Sequence, residues 1–266
     1  MTPGERATIL AFLAVAIYVY TRPRSVFRAS DYSKDGKYHL LLCATGSVAT
    51  IKLPDICRAL ARYENLSVRI VLSRSAARFL KGQSWEQSEW SGLKWIRNVD
   101  EIYVDRDEWK KPWVRGDPIL HIELRRWADL MVIAPLSANS LAKLASGMSD
   151  NLVTSVARAW DTRGVIDGMR PGLTLRQNKK TIMVAPAMNT AMWQHPVTAQ
   201  HLQKLGVEWS VDNGGWIQML GPIEKGLACG DVGSGAMREW TEIVRKIETE
   251  FVGLRAKPET TWCTIQ

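Results

Sequence analysis

From residue 38 onward, apolar residues are concentrated in five short runs, and polar or glycine-containing segments bound each run. The runs are Tyr38–Cys43, Ser67–Leu72, Glu101–Val104, Asp129–Ala134 and Thr181–Ala185. Helical patterns lie between them, at Ala49–Tyr63 and Ser75–Lys81. Nearly continuous apolar strands that alternate with helices are typical of a parallel sheet covered by helices on both faces. We therefore predict an α/β fold with its ligand sites at the carboxyl ends of the strands.

A further apolar run, Ala7–Tyr20, precedes this pattern and is followed by Arg22, Arg24 and Arg28. As a helix it would rise about 21 Å, which is short of the roughly 20 residues that span a bilayer. A marginal signal anchor, an interfacial helix and an appended segment all fit this pattern. We expect an accessory segment outside the α/β domain, and membrane contact through residues 7–20 stays open.

The polar stretch Ser30–Lys37 contains Gly36 and is typical of a linker. The predicted organisation is an N-terminal apolar segment with its linker (residues 1–36), one ligand-binding domain (residues 37–250) and a short C-terminal tail (residues 251–266). A chain of 266 residues is long enough to bury a full core in one such domain.

The net charge of +8 favours an anionic ligand. The basic residues are scattered rather than clustered, which favours a small molecule and excludes nucleic acid. The four cysteines have neither a CxxC spacing nor a zinc pattern with the four histidines, so we expect no metal. Free thiols indicate a reduced, cytoplasmic protein.

The first strand is followed by the sequence ATGSVA, in which Gly46 permits a tight turn. The amides after Gly46 and the Ser47 hydroxyl could bind a phosphate at the start of the next helix. The sequence is neither GxGxxG nor a Walker loop. A plain strand-to-helix turn remains an alternative.

Two later strands are each followed by proline and then asparagine, in APLSANS (residues 134–140) and APAMNTAMW (residues 185–193). Asparagine at a helix start is commonly a cap, and this is our interpretation of Asn139. Asn189 lies among Met188, Met192 and Trp193, so we expect it to contact a ligand.

Two further residues could carry chemistry. His121 lies between apolar neighbours and is followed by Glu123, so it could be a base or a structural residue. Cys229, in LACGDVGSGAM (residues 227–237), is flanked by a carboxylate and three glycines. It could be a reactive thiol on a loop or a free buried cysteine.

Together these motifs resemble one family. The ordered set GSVA, DPxLHIELRRWAD, VIAPLSAN, DNL, VAPAMNTxMW and LACGDxGxGAM, between residues 38 and 246, is similar to that of the phosphopantothenoylcysteine decarboxylases. These are flavin-dependent cysteine decarboxylases. The eukaryotic stand-alone form, which includes the halotolerance proteins, is the most similar. The resemblance implies a Rossmann-like, flavodoxin-type fold that binds FMN between the subunits of a homotrimer.

The resemblance also implies a cofactor site, with Gly46, Ser47 and Val48 at the FMN phosphate. The other residues that it places along the cofactor are Ser73, Phe79, Ser137, Ala138 and Ser140.

The remaining roles that the resemblance implies concern the substrate. His121 would be the base, contributed to a neighbouring subunit's flavin, and Cys229 would be the acid of the reductive half-reaction. Asn189 would bind the substrate carboxylate, with Met192 part of the substrate clamp and Arg126 a further substrate contact.

The implied activity is the decarboxylation of 4′-phosphopantothenoylcysteine to 4′-phosphopantetheine in coenzyme A biosynthesis. Oxidising the substrate thiol to a thioaldehyde, with a hydride passing to FMN, gives the electrons of the breaking bond an acceptor. One alternative is a regulatory subunit of a mixed trimer that inhibits a protein phosphatase; such proteins typically carry long acidic tails, which residues 251–266 lack. Another is a related flavoprotein that acts on a peptidyl cysteine or a prenyl donor.

The chain departs from the family pattern in three places. Ser149 replaces a frequent cysteine, and Ser140 replaces the more usual threonine. The segment Asp161–Lys180 is longer than usual, and we expect it to be a surface insertion.

Overall fold

A computed structural model of the chain describes residues 27–81, 90–226 and 232–257. The apolar run Ala7–Tyr20, on which the prediction of membrane contact depends, lies outside these ranges, and so does Cys229. Within them, no helix is both long enough and apolar enough to cross a membrane.

Six parallel strands form the central sheet, in the order β3-β2-β1-β4-β5-β6. They are β1 (Tyr38–Ala44), β2 (Leu66–Leu72), β3 (Val99–Val104), β4 (Leu130–Leu136), β5 (Thr181–Pro186) and β6 (Ile217–Met219). The predicted parallel α/β fold is confirmed, and each of the five predicted strands is present. Strand β6 was not predicted, because three residues are too few for a periodic pattern.

Eight α-helices are assigned in the described ranges: α1 (Leu53–Leu60), α2 (Arg74–Phe79), α3 (Leu120–Trp127), α4 (Ala138–Ser146), α5 (Leu152–Arg158), α6 (Thr190–Gln194), α7 (Pro196–Gln203) and α8 (Trp240–Glu250). The sequence predicted a single helix over Ala49–Tyr63, and the predicted start of this helix is wrong. A 3₁₀ helix covers Val48–Lys52, and α1 starts after it. Pro54 lies in the first turn of α1, where its missing N–H costs no hydrogen bond.

Both faces of the sheet are buried, as the continuous apolar strands predict. Along β1, Leu40 and Leu42 belong to the core on one face, whereas Leu41 and Cys43 belong to the core on the other. This alternation follows from the two-residue period of a strand. Helices α1 and α8 cover the first face, and α3, α4 and α5 cover the second.

Two of the four cysteines are part of this core. Cys43 and Cys57 are free and buried. Burial raises the pKa of the Cys57 thiol to about 12 and raises that of Cys43 as well. A thiol that stays protonated is a poor nucleophile, so these two cysteines are unsuited to chemistry at a ligand site.

A C-terminal hairpin, β7 (Ile223–Gly226) with β8 (Val232–Ala236), pairs antiparallel outside the main sheet. Gly235 in β8 has a φ of 118°, and a Cβ there would lie 2.6 Å from the Met188 carbonyl oxygen. The Met188 N–H donates to the Gly235 carbonyl at 3.0 Å. The hairpin is therefore attached to the loop that follows β5, and that attachment requires glycine.

We expected the long connection Asp161–Lys180 to be a surface insertion, and this expectation is wrong for its second half. The Arg170 side chain is 10% exposed and forms ion pairs with Asp129 and Asp35. Leu175 is buried in the core. The connection therefore contributes a buried cation at the amino end of the sheet, because Asp129 directly precedes β4.

Described residues on both sides of the predicted domain pack against it. The Phe27 ring lies 4.1 Å from the guanidinium carbon of the buried Arg69, and the Ala29 N–H donates to Glu123 Oε2 at 2.7 Å. At the other end, Phe251 is buried, and its ring centroid lies 4.9 Å from that of Tyr38. The boundaries at residues 37 and 250 stay a prediction.

We expect Arg170→Met to lower the free energy of unfolding by roughly 3 kcal/mol, because it leaves the buried Asp129 carboxylate without its cation. Urea denaturation followed by circular dichroism measures this change. Adding Asp129→Asn should recover part of the loss, since the two side chains interact directly. If the losses in free energy of unfolding caused by Arg170→Met and Asp129→Asn simply add in the double variant, the proposed role of the ion pair is contradicted.

Candidate active site

A cavity of about 1220 Å³ lies at the carboxyl edge of the sheet. It is lined by segments that follow β1, β2, β4 and β5. Strands β1 and β4 are neighbours at the point where the strand order reverses. Such a switch point is where open α/β sheets bind ligands, because the connecting loops diverge and leave a crevice. The residues predicted for the cofactor all line this cavity, and so do Asn189 and Met192.

The turn after β1 is packed tightly against the start of α2. A Cβ at Gly46 would lie 2.6 Å from the Ser75 Cβ, closer than carbon atoms can approach. Ser47 then precedes the 3₁₀ helix without capping it, so its hydroxyl is available to a ligand. The geometry fits the predicted phosphate-binding turn.

Serine hydroxyls cap two helices that begin at the cavity. Ser73 Oγ accepts a hydrogen bond from the Ala76 N–H at the start of α2. Ser137 Oγ accepts one from the Ser140 N–H at the start of α4. The interpretation of Asn139 as a cap is therefore wrong, because Ser137 caps that helix while Asn139 is exposed on the cavity wall.

Asn189 is also a cap, although the sequence favoured a ligand contact for it. Its Oδ1 accepts a hydrogen bond from the Met192 N–H at 2.8 Å, at the start of α6. Among the described residues, its Nδ2 has no hydrogen-bond partner. Capping uses the amide oxygen and leaves the N–H₂ group as a donor for a ligand.

Positive charge predominates around the cavity. Three acidic residues line it, Asp105, Asp150 and Glu239, against a larger number of basic residues: Lys52, Arg74, Arg78, Lys81, Arg106, Lys143 and Arg238. A hydrogen bond from Lys143 lowers the pKa of the Asp150 carboxyl below its usual value. The N-termini of α2, α4 and α6 add partial positive charge. The cavity is therefore suited to an anionic ligand.

His121 and Arg126 lie on α3 and do not line this cavity of their own chain. His121 Nδ1 is 2.8 Å from Glu108 Oε1. The Arg126 side chain is half-exposed, and its Nη1 donates to Glu123 Oε1 at 2.8 Å. The other described site residues line the cavity, whereas these two residues of the same chain do not.

Cys229 lies outside the described residues, in the sequence between β7 and β8. The described residues that follow it, Gly235 to Met237, line the cavity.

Sequence reasoning missed the short turn after β3. Asp105 and Arg106 in this turn line the cavity. Asp105 Oδ2 accepts from the Arg74 N–H and Oδ1 from the Leu152 N–H, so one carboxylate joins the starts of α2 and α5. The signal was present, because DRDE (residues 105–108) directly follows a predicted strand, as the other motifs do.

The fold and the site together define a doubly wound α/β protein with a cavity suited to an anionic ligand at its switch point. The pattern of the Flavoprotein family matches residues 28–252. The chain therefore belongs to the Flavoprotein family.

Named relatives share most of this domain. A probable phosphopantothenoylcysteine decarboxylase of Arabidopsis thaliana is 44% identical over 203 residues, which are 76% of this chain and 83% of that protein. A probable thymidylate synthase of Schizosaccharomyces pombe is 42% identical over 213 residues, or 80% of this chain. The chain spans 29% of the length of that protein.

Two solved structures are similar in fold and sequence. One is a cysteine-to-serine mutant of PPC decarboxylase complexed with pantothenoylaminoethenethiol. It has a TM-score of 0.61 and 41% identity, covering 80% of this chain and 97% of that one. The other is the FMN binding protein AtHal3, with a TM-score of 0.59 and 42% identity, covering 80% and 95%.

We expect Gly46→Ala to weaken flavin binding at least tenfold, because the new Cβ would push the turn away from Ser75. Fluorescence titration of the apoprotein with flavin measures the affinity. Adding Ser75→Gly removes the clashing Cβ and should recover much of the loss. Unchanged affinity in Gly46→Ala would show that this turn does not contact the flavin.

Proposed function

We propose that this protein is a phosphopantothenoylcysteine decarboxylase that uses FMN to convert 4′-phosphopantothenoylcysteine to 4′-phosphopantetheine. The observation that carries this proposal is the convergence of the predicted flavin residues and Asn189 on one cavity. The named relatives support the same activity, since one carries this name and one solved structure holds a pantothenoyl compound.

The residues of the cavity fit FMN. The Ser47 hydroxyl does not cap the 3₁₀ helix that follows it, so the hydroxyl and the N-terminus of that helix suit a phosphate monoester. The basic residues around the cavity add complementary charge. Phe79 and Met192 supply apolar surface to the lining of the cavity, which suits an aromatic ring system. When bound, FMN supplies two-electron chemistry that makes the substrate carboxylate labile.

The chain's own residues hold the substrate and move its protons. The Asn189 amide N–H₂ donates to the carboxylate and orients the breaking bond, while its oxygen keeps the amide fixed against α6. Arg126 adds a cation for the anionic substrate, and Met192 covers it. Cys229 donates its thiol proton to one carbon of the enethiol double bond in the last step, and the hydride for the other carbon would come from the reduced flavin.

We further propose a cytoplasmic homotrimer in which α3 of one subunit completes the cavity of its neighbour. The placement of His121 and Arg126 supports this arrangement, because neither lines the cavity of its own chain. Exposed Trp109 and Trp113, between β3 and α3, offer apolar surface for such an interface.

We expect the purified protein to show a flavin spectrum and to form 4′-phosphopantetheine from 4′-phosphopantothenoylcysteine. Cys229→Ser should still release CO₂ but accumulate the enethiol, because only the final proton donor is lost. Mass spectrometry of the products and CO₂ detection measure both steps. Cys263→Ser is the matched control, since it removes a thiol outside the ACGD motif and should give normal product.

A colourless protein, or a yellow protein without product, would refute the decarboxylase. Normal product from Cys229→Ser would refute the acid role alone. A protein that is inactive by itself but becomes active after mixing with a related chain would favour the regulatory subunit of a mixed trimer.

Co-expression of two inactive chains tests the shared site. Chains with His121→Asn and Asn189→Asp should together recover about a quarter of wild-type activity, because random mixing in a cyclic trimer leaves that share of sites intact. The matched control combines His121→Asn with Arg126→Ala. Both changes lie on α3, so every site would lack one group and no activity should return. No recovery from the first pair would refute the shared site.

A further inference from the structure

Glu108 is a buried carboxylate in contact with His121. It follows the 3₁₀ turn Asp105–Asp107 and is 5% exposed. Its Oε1 lies 2.8 Å from His121 Nδ1 and also accepts a hydrogen bond from the His121 N–H at 3.4 Å. The two residues are 13 positions apart in the sequence, one after β3 and the other at the start of α3.

The acceptor at Nδ1 determines where the imidazole proton lies. An ionised carboxylate oxygen accepts hydrogen bonds and cannot donate one, so Nδ1 has to carry the hydrogen when it faces an ionised Glu108. In the neutral ring, Nε2 then keeps its lone pair. Among the described residues Nε2 has no hydrogen-bond partner, and the His121 side chain is 23% exposed. The ring thus presents an unoccupied proton acceptor on its outer side.

The turn that carries Glu108 is itself fixed at the cavity. Asp105 at its start joins the N-termini of α2 and α5. Asp107 Oδ2 accepts from the Val104 N–H at 2.8 Å, which closes the turn. Glu108 therefore contacts His121 from a hydrogen-bonded turn that also lines the cavity.

The other carboxylate oxygen of Glu108 is buried and has no hydrogen-bond partner within the described ranges. A buried polar atom without a partner calls for an explanation, and a role in holding a reactive side chain is one such explanation. Glutamine or an apolar residue would fill the same space without burying a charge.

We propose that Glu108 is the positioning residue that holds His121 as the Nδ1–H tautomer, with Nε2 free to take the proton of the substrate thiol. This inference rests on the proposed decarboxylase function. In the step, the S–H bond breaks, an N–H bond forms at Nε2, and the electron pair stays on sulfur. The Glu108 carboxylate then faces the imidazolium and stabilises its charge.

The first experiment determines the tautomer without any turnover. Histidine labelled with ¹⁵N gives separate shifts for protonated and unprotonated ring nitrogens, and His121→Asn assigns the signal among the four histidines. We expect Nδ1–H in the wild type and in Glu108→Gln, whose side-chain oxygen can still accept. In Glu108→Leu we expect a shift toward Nε2–H.

The second experiment measures kcat and KM for the same variants. We expect kcat to fall about tenfold in Glu108→Gln and about 100-fold in Glu108→Leu, with KM little changed. The matched control is Glu250→Gln, which neutralises another buried carboxylate, at the end of α8. It should leave both kcat and the His121 tautomer unchanged.

The outcomes separate this proposal from the proposed function. An active wild type with unchanged kcat in Glu108→Leu, or an unchanged tautomer in that variant, would overturn the role of Glu108 alone. Should Glu108→Leu fail to fold, a Glu108→Gln variant with wild-type kcat would overturn it as well. An inactive wild type would refute the decarboxylase, and with it the catalytic part of this proposal.

Discussion

Six strands that run in the same direction bring their carboxyl ends to one edge of the sheet, and this parallel arrangement is the constraint on which the rest of the structure depends. The helices that follow β2, β4 and β5 begin at that edge, so their N-termini surround one cavity. Ser73, Ser137 and Asn189 cap those helices there. Peptide dipoles and the surrounding cations therefore act together on any anion that enters.

At the opposite edge of the sheet, where the strands begin, buried charged side chains of the protein pair with one another. Asp129 accepts a hydrogen bond from the His39 N–H at the start of β1 and forms an ion pair with Arg170. Lys180, directly before β5, donates to the Arg126 carbonyl at 2.8 Å. These contacts tie the amino ends of the strands to the long connection before β5. These buried charged contacts thus lie at the edge of the sheet opposite the cavity.

Helix α3 and the turn after β3 connect the cavity with residues that do not line it. The turn contributes Asp105 to the cavity wall and is followed at once by Glu108, which contacts His121. A site shared between subunits would require such a rigid connection, because the base must keep its orientation relative to a neighbouring chain. Membership of the Flavoprotein family and the cavity at the switch point both agree with a flavoprotein in which α3 and the turn after β3 serve one ligand site.

The sequence by itself determined five of the six strands and the strand-end motifs, because apolar runs and glycine turns are local signals that need no knowledge of the fold. It could not determine which hydroxyl or amide caps a helix: Ser137 rather than Asn139 caps α4, and Asn189 proved to be a cap. Nor could it pair Glu108 with His121, or Arg170 with Asp129, which lies 41 positions away. Such pairs form between segments that the folded chain brings together, so only the tertiary structure decided them.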